Sequence, residues 1–270
     1  MPDRDQSPEP TGSLLVDVGD RVALITLNRP AARNALSSEL LRALPEAIVA
    51  ADANDDVDVI VLTGADPAFC AGLDLRELGS SGDNLAGGAT ETKAWTTPWP
   101  AVTKPVIGAI NGAAVTGGFE LALNCDFLIA SDRAKFGDTH ARVGLMPGWG
   151  LSVLLPQAVG VRRAREMSLT GNFMGADEAL AFGLVNRVVA HDDLLPVTLS
   201  VAADIAGNDQ RSVRALLGEY REITGSIYDA GLVIEAQKAK EWNSRRGGFD
   251  PAEVEKRRAA IIERGRGMVD

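Results

Sequence analysis

Residues 110–121 read Ile-Asn-Gly-Ala-Ala-Val-Thr-Gly-Gly-Phe-Glu-Leu and indicate the fold class more clearly than any other segment. This segment continues from an apolar run over residues 105–110 that predicts a buried strand. Gly117 and Gly118 stand where a helix is expected to begin and to run on to Asn124. A buried strand that leads through a glycine-rich turn into a helix is typical of α/β architecture.

The residues of this turn could also take part in catalysis. The first N–H groups of a helix have no intrahelical partner and carry a partial positive charge, so they can stabilise an anion, including one that forms only in a transition state. Glu120 lies three residues after Gly117, on the same side of the helix. The turn therefore offers an oxyanion donor beside a carboxylate. Two alternatives stay open: a purely structural turn, and a dinucleotide loop, although the spacing does not match G-x-G-x-x-G.

Outward from this stretch, apolar runs and helical patterns alternate. Ser37 is a candidate N-cap for a helix over Ser38–Ala53. Further strands are predicted over three apolar runs, which are Val22–Leu27, 57–63 and 127–130. The alternation indicates an α/β core.

The second half of the chain has a mainly helical pattern from Val161 onward. Amphipathic helices are predicted over Leu194–Ala206, 212–220 and 228–242, and a strongly charged helix over 251–266. Residues 79–88 are rich in Gly, Ser, Asp and Asn and predict a mobile loop, or lid. We expect three regions: a disordered tail at 1–12, an α/β core at 13–200 and a C-terminal helical region at 201–270.

Composition excludes several classes of protein. The 270 residues have a mass of 28.4 kDa, and 46% hydrophobic with 24% charged residues is an ordinary globular balance. The formal net charge of −10 argues against a nucleic-acid partner. The first residues contain no apolar h-region, so no signal peptide is expected. No run of about 18 apolar residues occurs in the sequence, and two cysteines are too few for a disulfide framework. We expect a cytoplasmic protein with no membrane partner.

A second informative stretch covers residues 68–75, Ala-Phe-Cys-Ala-Gly-Leu-Asp-Leu. A tight turn at Gly72 can direct a backbone N–H into a pocket, since glycine adopts backbone angles that other residues resist. Taken alone, this stretch fits equally well a simple turn before a helix.

Together the two stretches are far more specific than either alone. Residues 69–75 (F-C-A-G-L-D-L), 104–112 (K-P-V-I-G-A-I-N-G) and 117–126 (G-G-F-E-L-A-L-N-C-D) resemble the crotonase (enoyl-CoA hydratase/isomerase) superfamily. Further matching segments are L-N-R-P at 27–30, R-N-A-L at 33–36, L-M-P-G-W-G at 145–150 and A-L-A-F-G-L-V at 179–185. The resemblance extends over about residues 14–270.

The resemblance implies a crotonase-type spiral of repeated ββα units with a C-terminal α-helical region, assembled as a homotrimer or a hexamer made of two trimers. It also implies chemistry on an acyl-CoA thioester, with coenzyme A present as part of the substrate and no permanently bound cofactor. By position, the backbone N–H groups of Leu73 and Gly117 would form the oxyanion hole. The implied contacts to coenzyme A or substrate are Arg29, Ala31, Ala71, Asp74, Leu75 and Trp149. Four cations, Arg29, Arg33, Arg76 and Lys93, could supply positive charge for the phosphates, and the alternative for each is a solvated surface charge.

The sequence departs from the family pattern at one catalytic position. Typical hydratases carry two glutamates around one water, and Glu120 matches the first. The second follows F-G-x-P-E, but here residues 136–140 read Phe-Gly-Asp-Thr-His, so His140 takes the position of that glutamate and Thr139 that of the proline.

The change alters the available chemistry. Histidine can accept, donate or do both, and its unperturbed pKa near 6.5 suits a general acid or base. Glu120 and His140 could divide the proton transfers of hydration, or His140 could simply line the site. Asp138 is placed to orient the imidazole or is an ordinary loop residue, and His191 is expected to be exposed.

The sequence therefore favours an enoyl-CoA hydratase, a hydro-lyase. The alternatives are an enoyl-CoA isomerase, another crotonase reaction such as decarboxylation or thioester hydrolysis, and a non-catalytic acyl-CoA-binding protein. Trp149 lines the acyl pocket or packs in the core, and Cys70 and Cys125 are expected to be buried packing residues. No group of residues has metal-ligand spacing, so no metal is expected.

Overall fold

The computed structural model describes residues 12–80 and 97–245, together with residues 255, 258, 262 and 263. Most of the expected tail at 1–12, most of the expected lid at 79–88, Lys93 and most of the helix expected at 251–266 lie outside the described residues.

Two sheets form the framework of the protein. The larger has six strands in the order β1-β2-β3-β5-β7-β10, all parallel except for the β1–β2 hairpin, and the smaller has four in the order β4-β6-β8-β9. The strands are β1 (Leu14–Gly19), β2 (Val22–Leu27), β3 (Val59–Gly64), β4 (Ala68–Cys70), β5 (Val106–Ile110), β6 (Ala113–Val115), β7 (Phe127–Ser131), β8 (Lys135–Gly137), β9 (Phe173–Gly175) and β10 (Arg187–Val189). With strands and helices alternating along the chain, the predicted α/β class is confirmed.

Helices cover the sheets. They are α1 (Ser38–Ala53), α2 (Leu75–Ser80), α3 (Gly117–Leu123), α4 (His140–Val143), α5 (Leu151–Val159), α6 (Val161–Thr170), α7 (Ala176–Ala181), α8 (Leu194–Ala206) and α9 (Gln210–Arg245). Short 3-10 turns lie at Pro30–Ala32 and His191–Asp193. The bounds predicted for α1 are confirmed, and the Ser37 hydroxyl caps it by accepting the Leu40 N–H at 3.3 Å.

The central strand β3 shows why the sheet forms. All six of its residues are buried, as expected for a strand of a parallel sheet that is covered on both faces. Ile60 and Leu62 belong to the large core that also holds the apolar face of α1. Val59 and Val61 face the opposite way into a smaller cluster under α8.

The smaller sheet places the two informative turns side by side. Strand β4 pairs in parallel with β6, so the chain leaves both strands at the same edge. The backbones also approach closely there, because a Cβ atom on Gly118 would lie 2.2 Å from the Cys70 carbonyl oxygen. The turn before α2 and the turn before α3 are therefore neighbours.

The second half of the chain is mainly helical, as expected, but one expectation for it was wrong. The helices predicted at 212–220 and 228–242 are one continuous helix, α9, in which the Thr224 hydroxyl donates to the Tyr220 carbonyl at 2.7 Å. Strands β9 and β10 interrupt the region expected to be mainly helical. Their three-residue length gives almost no periodic signal, and they form because β8 and β7 offer them open edges.

The expected boundary at residues 200 and 201 falls inside α8, whose Leu194 and Ala202 pack against the large sheet. The division into a core and a C-terminal region stays a prediction. None of the helices within the described ranges is long and apolar enough to cross a membrane.

Candidate active site

Two tight turns bring two backbone amides together. Gly72 has a φ of +84°, and a Cβ atom there would lie 1.9 Å from the Thr116 hydroxyl oxygen, so only glycine fits. Thr116 itself has a φ of +48° and immediately precedes α3. A Cβ atom on Gly117 would lie 3.9 Å from the Gly72 Cα. The amides that follow these turns, Leu73 and Gly117, are consequently close neighbours.

Both of these amides are available to a ligand. Leu36 pairs with the residues on either side of Leu73, its N–H donating to Gly72 at 2.8 Å and its carbonyl accepting from Asp74 at 3.0 Å. The Leu73 N–H therefore points away from Leu36. Gly117 is the first residue of α3, so its N–H has no intrahelical acceptor. In the part of the chain that the structure describes, neither N–H has a hydrogen-bond acceptor.

Glu120 lies one turn into α3 and is buried, with 3% of its surface exposed. Its Oε1 accepts two backbone N–H groups, from Gly148 at 3.1 Å and from Trp149 at 2.7 Å. Its Oε2 lies 3.6 Å from His140 Nε2. One carboxylate oxygen is thus held by the backbone and the other faces the imidazole.

His140 begins α4 and stands between two carboxylates. Its Nδ1 lies 2.7 Å from Asp138 Oδ1, which also accepts the His140 backbone N–H at 3.2 Å. Burial opposes the charged imidazole, yet the hydrogen bond to Asp138 and the negative charges of Glu120 and Asp138 prevail and raise the pKa of His140 to about 10. Despite its own burial, Asp138 has a lowered pKa because it is hydrogen-bonded to His140. The two neighbouring carboxylates thus favour the imidazolium form, in which both ring nitrogens carry a hydrogen.

Trp149 is half-buried and forms part of both the site and the core. Its Cζ3 would lie 3.7 Å from a Cβ atom on Gly117, and its ring packs against the large hydrophobic core. The Asn124 side-chain amide donates to the Trp149 carbonyl at 2.8 Å. Both interpretations of Trp149, as a wall of the site and as a packing residue, agree with these contacts.

Comparison with known proteins gives this arrangement its context. The sequence profile of the enoyl-CoA hydratase/isomerase family matches residues 17–257. The chain belongs to the enoyl-CoA hydratase/isomerase family. It is 42% identical to a probable enoyl-CoA hydratase of Mycobacterium leprae, over 83% of this chain and 86% of that protein. It is 45% identical to a probable enoyl-CoA hydratase of Rhizobium meliloti, over 72% of this chain and 75% of that protein.

The fold is shared as well. A crystal structure of an enoyl-CoA hydratase from Mycobacterium smegmatis superposes with a TM-score of 0.78 at 57% identity, covering 86% of this chain and 98% of that one. The predicted membership in the crotonase superfamily and the predicted crotonase-type fold are confirmed. The interpretation of the chain as an acyl-CoA-processing enzyme of the hydratase type is confirmed by the same relatives.

Two of the predicted coenzyme A contacts, Arg29 and Asp74, are joined to each other. Arg29 Nη2 forms an ion pair with Asp74 Oδ2 at 2.8 Å, and the second Arg29 nitrogen donates to the Ala35 carbonyl. Although burial opposes ionisation, Arg29 and nearby backbone N–H groups hold the pKa of Asp74 below its usual range. Arg29 thus connects Ala35 to Asp74, the second residue after Gly72, and helps to hold the turn at Gly72 in place.

The remaining predicted contacts differ in exposure. Ala31, Arg33 and Arg76 are exposed. Ala71 and Leu75 are half-buried on either side of the Gly72 turn.

The expectation that His191 is exposed was wrong. Its side chain is only 12% exposed, with Nδ1 at 3.0 Å from the Ser131 hydroxyl and Nε2 at 2.9 Å from Asp66 Oδ2. His191 thus links the end of β7 to the loop after β3. The polar sequence around His191 does not indicate these contacts, because both partners are far away along the chain. Cys70 and Cys125 are buried as predicted, and burial raises the pKa of Cys70 to about 12.

One residue near the site was missed. Glu235 on α9 accepts the N–H groups of Gly150 and Ser152, next to the amides that hold Glu120. It lies 85 residues beyond Gly150 in the sequence, so no local pattern indicates the contact. Among the described residues, no group of three or more His, Cys, Asp or Glu side chains is placed to hold a metal ion.

Proposed function

We propose that this enzyme adds water across the double bond of a trans-2-enoyl-CoA thioester, with Glu120 and His140 carrying the two proton transfers. The observation that carries the proposal is their pairing. Glu120 Oε2 faces His140 Nε2 at 3.6 Å, beside the two available amides of Leu73 and Gly117.

The two amides are assigned to the thioester carbonyl. As negative charge moves onto that oxygen, two N–H donors stabilise it, and each is worth roughly 3–4 kcal/mol in the transition state. Arg29, Ala31, Ala71, Asp74 and Leu75, the positions that the family resemblance implies, are assigned to the coenzyme A part of the substrate. Trp149, next to Gly117, would line the acyl part.

The proton steps follow from the charges. The Glu120 carboxylate takes one proton from water while the water oxygen bonds to the β-carbon and the π electrons move toward the thioester oxygen. The resulting enolate then takes a proton at the α-carbon from His140 Nε2–H. The proton on Glu120 passes to His140, which restores both groups and leaves a 3-hydroxyacyl thioester.

This assignment gives His140 the role of acid, not base. A group with a pKa of about 10 is protonated throughout the neutral range, so it has no lone pair with which to accept a proton from water. Asp138 is assigned to hold the ring and stabilise its charge through the 2.7 Å contact to Nδ1.

Assembly and location are part of the proposal. We infer a homotrimer, or a hexamer of two trimers, that takes an acyl-CoA substrate and works in the cytoplasm without a resident cofactor. Leu216 and Tyr220, four residues apart on α9, are 56% and 69% exposed. Large apolar side chains on one helix face support burial against another copy.

Isomerisation is the second candidate, favoured by the raised pKa of His140, which makes its Nε2–H a weak acid. If His140 keeps its proton, Glu120 alone can move a proton between two carbons of a thioester enolate. The mass of the product distinguishes hydration from isomerisation, because isomerisation leaves the mass of the substrate unchanged.

The test is turnover of crotonyl-CoA and a panel of longer enoyl-CoAs, followed by mass spectrometry. Hydration gives a product heavier by one water. A product of unchanged mass with a shifted double bond would replace the proposal with isomerisation. Tight binding without any turnover would identify an acyl-CoA-binding protein instead.

A further inference from the structure

A buried carboxylate that the proposed chemistry does not use lies on α9. Glu235 is 7% exposed, and its two oxygens accept the N–H groups of Gly150 at 2.5 Å and Ser152 at 2.6 Å. These N–H groups belong to the start of α5, where the N-cap residue is a glycine without a side chain. Glu235 thus supplies from a distant helix the cap that the local sequence lacks.

The same short segment holds Glu120. The N–H groups of Gly148 and Trp149 donate to Glu120 Oε1, and those of Gly150 and Ser152 donate to Glu235. Four N–H groups within five residues therefore divide between two carboxylates. A displacement of this segment on the Glu235 side would move the donors on the Glu120 side.

The packing of α9 on α5 makes this linkage tight. A Cβ atom on Gly231 would lie 2.9 Å from a Val153 methyl, and one on Gly150 would lie 3.0 Å from a Leu232 methyl. Gly150 has a φ of +95°, a conformation that L-residues with side chains rarely adopt. The segment is thus fixed by contacts that leave little room for an alternative path.

The electrostatics show that this arrangement has a cost. Burial and the negative charge of Glu120 both raise the pKa of Glu235, while its hydrogen bonds to Ser152 and Gly150 act in the opposite direction. A second buried acid near the reacting one is expensive unless its backbone contacts are retained. The four N–H groups offset the burial of both.

We propose that Glu235 is a positioning residue for the reaction, because it fixes the Gly148 and Trp149 amides and thereby the orientation of the Glu120 carboxylate. This inference rests on the proposed role of Glu120. Without Glu235, the segment before α5 relaxes, Oε1 loses its fixed donors, and Oε2 no longer faces His140 and the water in one defined geometry.

The first experiment compares Glu235→Gln with Glu222→Gln. Glu222 is exposed on the same helix, so its replacement removes one negative charge without touching the segment. Glutamine at 235 accepts one N–H and presents an NH₂ group to the other. We expect kcat for crotonyl-CoA to fall between about ten-fold and about a hundred-fold with KM within about two-fold, whereas Glu222→Gln has wild-type kinetics.

Glu235→Ala and Glu235→Asp extend the series. Circular dichroism and thermal melting check that each variant is folded, and kcat is calculated per folded protein. We expect the aspartate variant, which keeps the charge but is shorter by one methylene, to retain more kcat than alanine. The inference is overturned if the variants that melt near the wild-type temperature keep kcat within about two-fold.

A double-mutant cycle separates positioning from a general loss of structure. If Glu235 acts through Glu120, Glu235→Gln has little further effect on kcat in a Glu120→Gln background. If Glu235→Gln lowers kcat by the same factor in the wild-type and Glu120→Gln backgrounds, its role is independent of Glu120 and the inference is overturned. If Glu120→Gln alone leaves the rate unchanged, the proposed function fails instead, and the two failures are distinguishable.

Discussion

At the scale of single residues, three side chains set the charge of the site. Glu120 and Asp138 flank His140, with Oε2 at 3.6 Å from one ring nitrogen and Oδ1 at 2.7 Å from the other. A glutamate in place of His140 would put three acids in one buried cluster. The histidine instead supplies a cation that compensates one of its two neighbours and changes which group donates the proton.

The charge of His140 predicts how stability depends on pH. Its pKa is about 10 in the folded protein and near 6.5 in an unfolded chain, so its contribution is complete below about pH 6.5 and is lost as pH rises toward 10. We expect the free energy of unfolding, measured by urea denaturation, to decrease more steeply between pH 7 and about 10 in the wild type than in His140→Gln. Parallel pH profiles for the two proteins would show that the imidazole is neutral in the folded state.

Replacing Asp138 tests the same charge through catalysis. Asp138→Asn removes the anion that is hydrogen-bonded to Nδ1, so the imidazolium gives up its proton more readily. We expect the alkaline limb of the kcat profile to move about one to two pH units toward neutrality, because an adjacent opposite charge shifts a pKa by that order.

The control for this profile is Asp17→Asn, which removes an exposed carboxylate on β1. It should leave the alkaline limb where it is in the wild type. If Asp138→Asn instead moves the acidic limb of the kcat–pH profile, His140 works as a base.

At the scale of elements, the two short strands β4 and β6 matter more than their length suggests. They run in parallel, and the turns after them place the Leu73 and Gly117 amides together. The close approach depends on Gly72, whose missing side chain leaves room for Thr116. The oxyanion site is therefore a property of sheet pairing as much as of the glycines.

Substitution of Gly72 tests this element directly. Alanine would require a strained φ of +84° and would collide with the Thr116 hydroxyl at 1.9 Å, which displaces the Leu73 amide. We expect kcat to fall by at least about 10²-fold, as when one oxyanion donor is lost, along with a lower melting temperature.

The matched control is Gly218→Ala. A Cβ atom on Gly218 would meet nothing within 4 Å, and the residue lies in helix α9. The same substitution should there raise stability by about 0.5–1 kcal/mol and leave kcat unchanged, since alanine favours the helix. Wild-type kcat in Gly72→Ala would contradict the assigned oxyanion donor.

Local sequence patterns predicted the elements whose cause is local. Ser37 with the apolar spacing after it predicted α1, and Gly117 predicted the start of α3. Strands of three residues, the uninterrupted path of α9 and the burial of His191 depend on partners far away in the sequence. In the site, the motif predicted Glu120 and His140 as neighbours, but Glu235 depends on a contact between distant helices that leaves no pattern in either segment.

At the scale of the whole molecule, α9 connects the C-terminal part to the core. Arg221 pairs with Asp126 at the start of β7 at 2.9 Å, and Arg214 lies 3.5 Å from Asp58 at the start of β3. Glu235 makes the third connection, at α5. One helix thus touches the large sheet and the active-site segment, while Leu216 and Tyr220 stay exposed.

The exposed side of α9 predicts assembly. We expect sedimentation equilibrium to give about three or six times the 28.4 kDa chain mass, and the paired substitution Leu216→Asp with Tyr220→Asp to shift the protein toward smaller species, because charged side chains in an apolar interface are costly. A wild-type protein that sediments as a single chain would contradict the proposed trimer.

The measurement that tests the account most directly is the rate of crotonyl-CoA hydration by Glu120→Gln relative to the wild type, with both proteins shown to be folded. Glutamine keeps the shape of the side chain and can still accept the Trp149 N–H, but it cannot take a proton from water. We expect a loss of at least about 10²-fold in kcat, the order expected when a general acid–base is removed. A rate within about three-fold of the wild type would contradict it, since it would remove Glu120 from the chemistry.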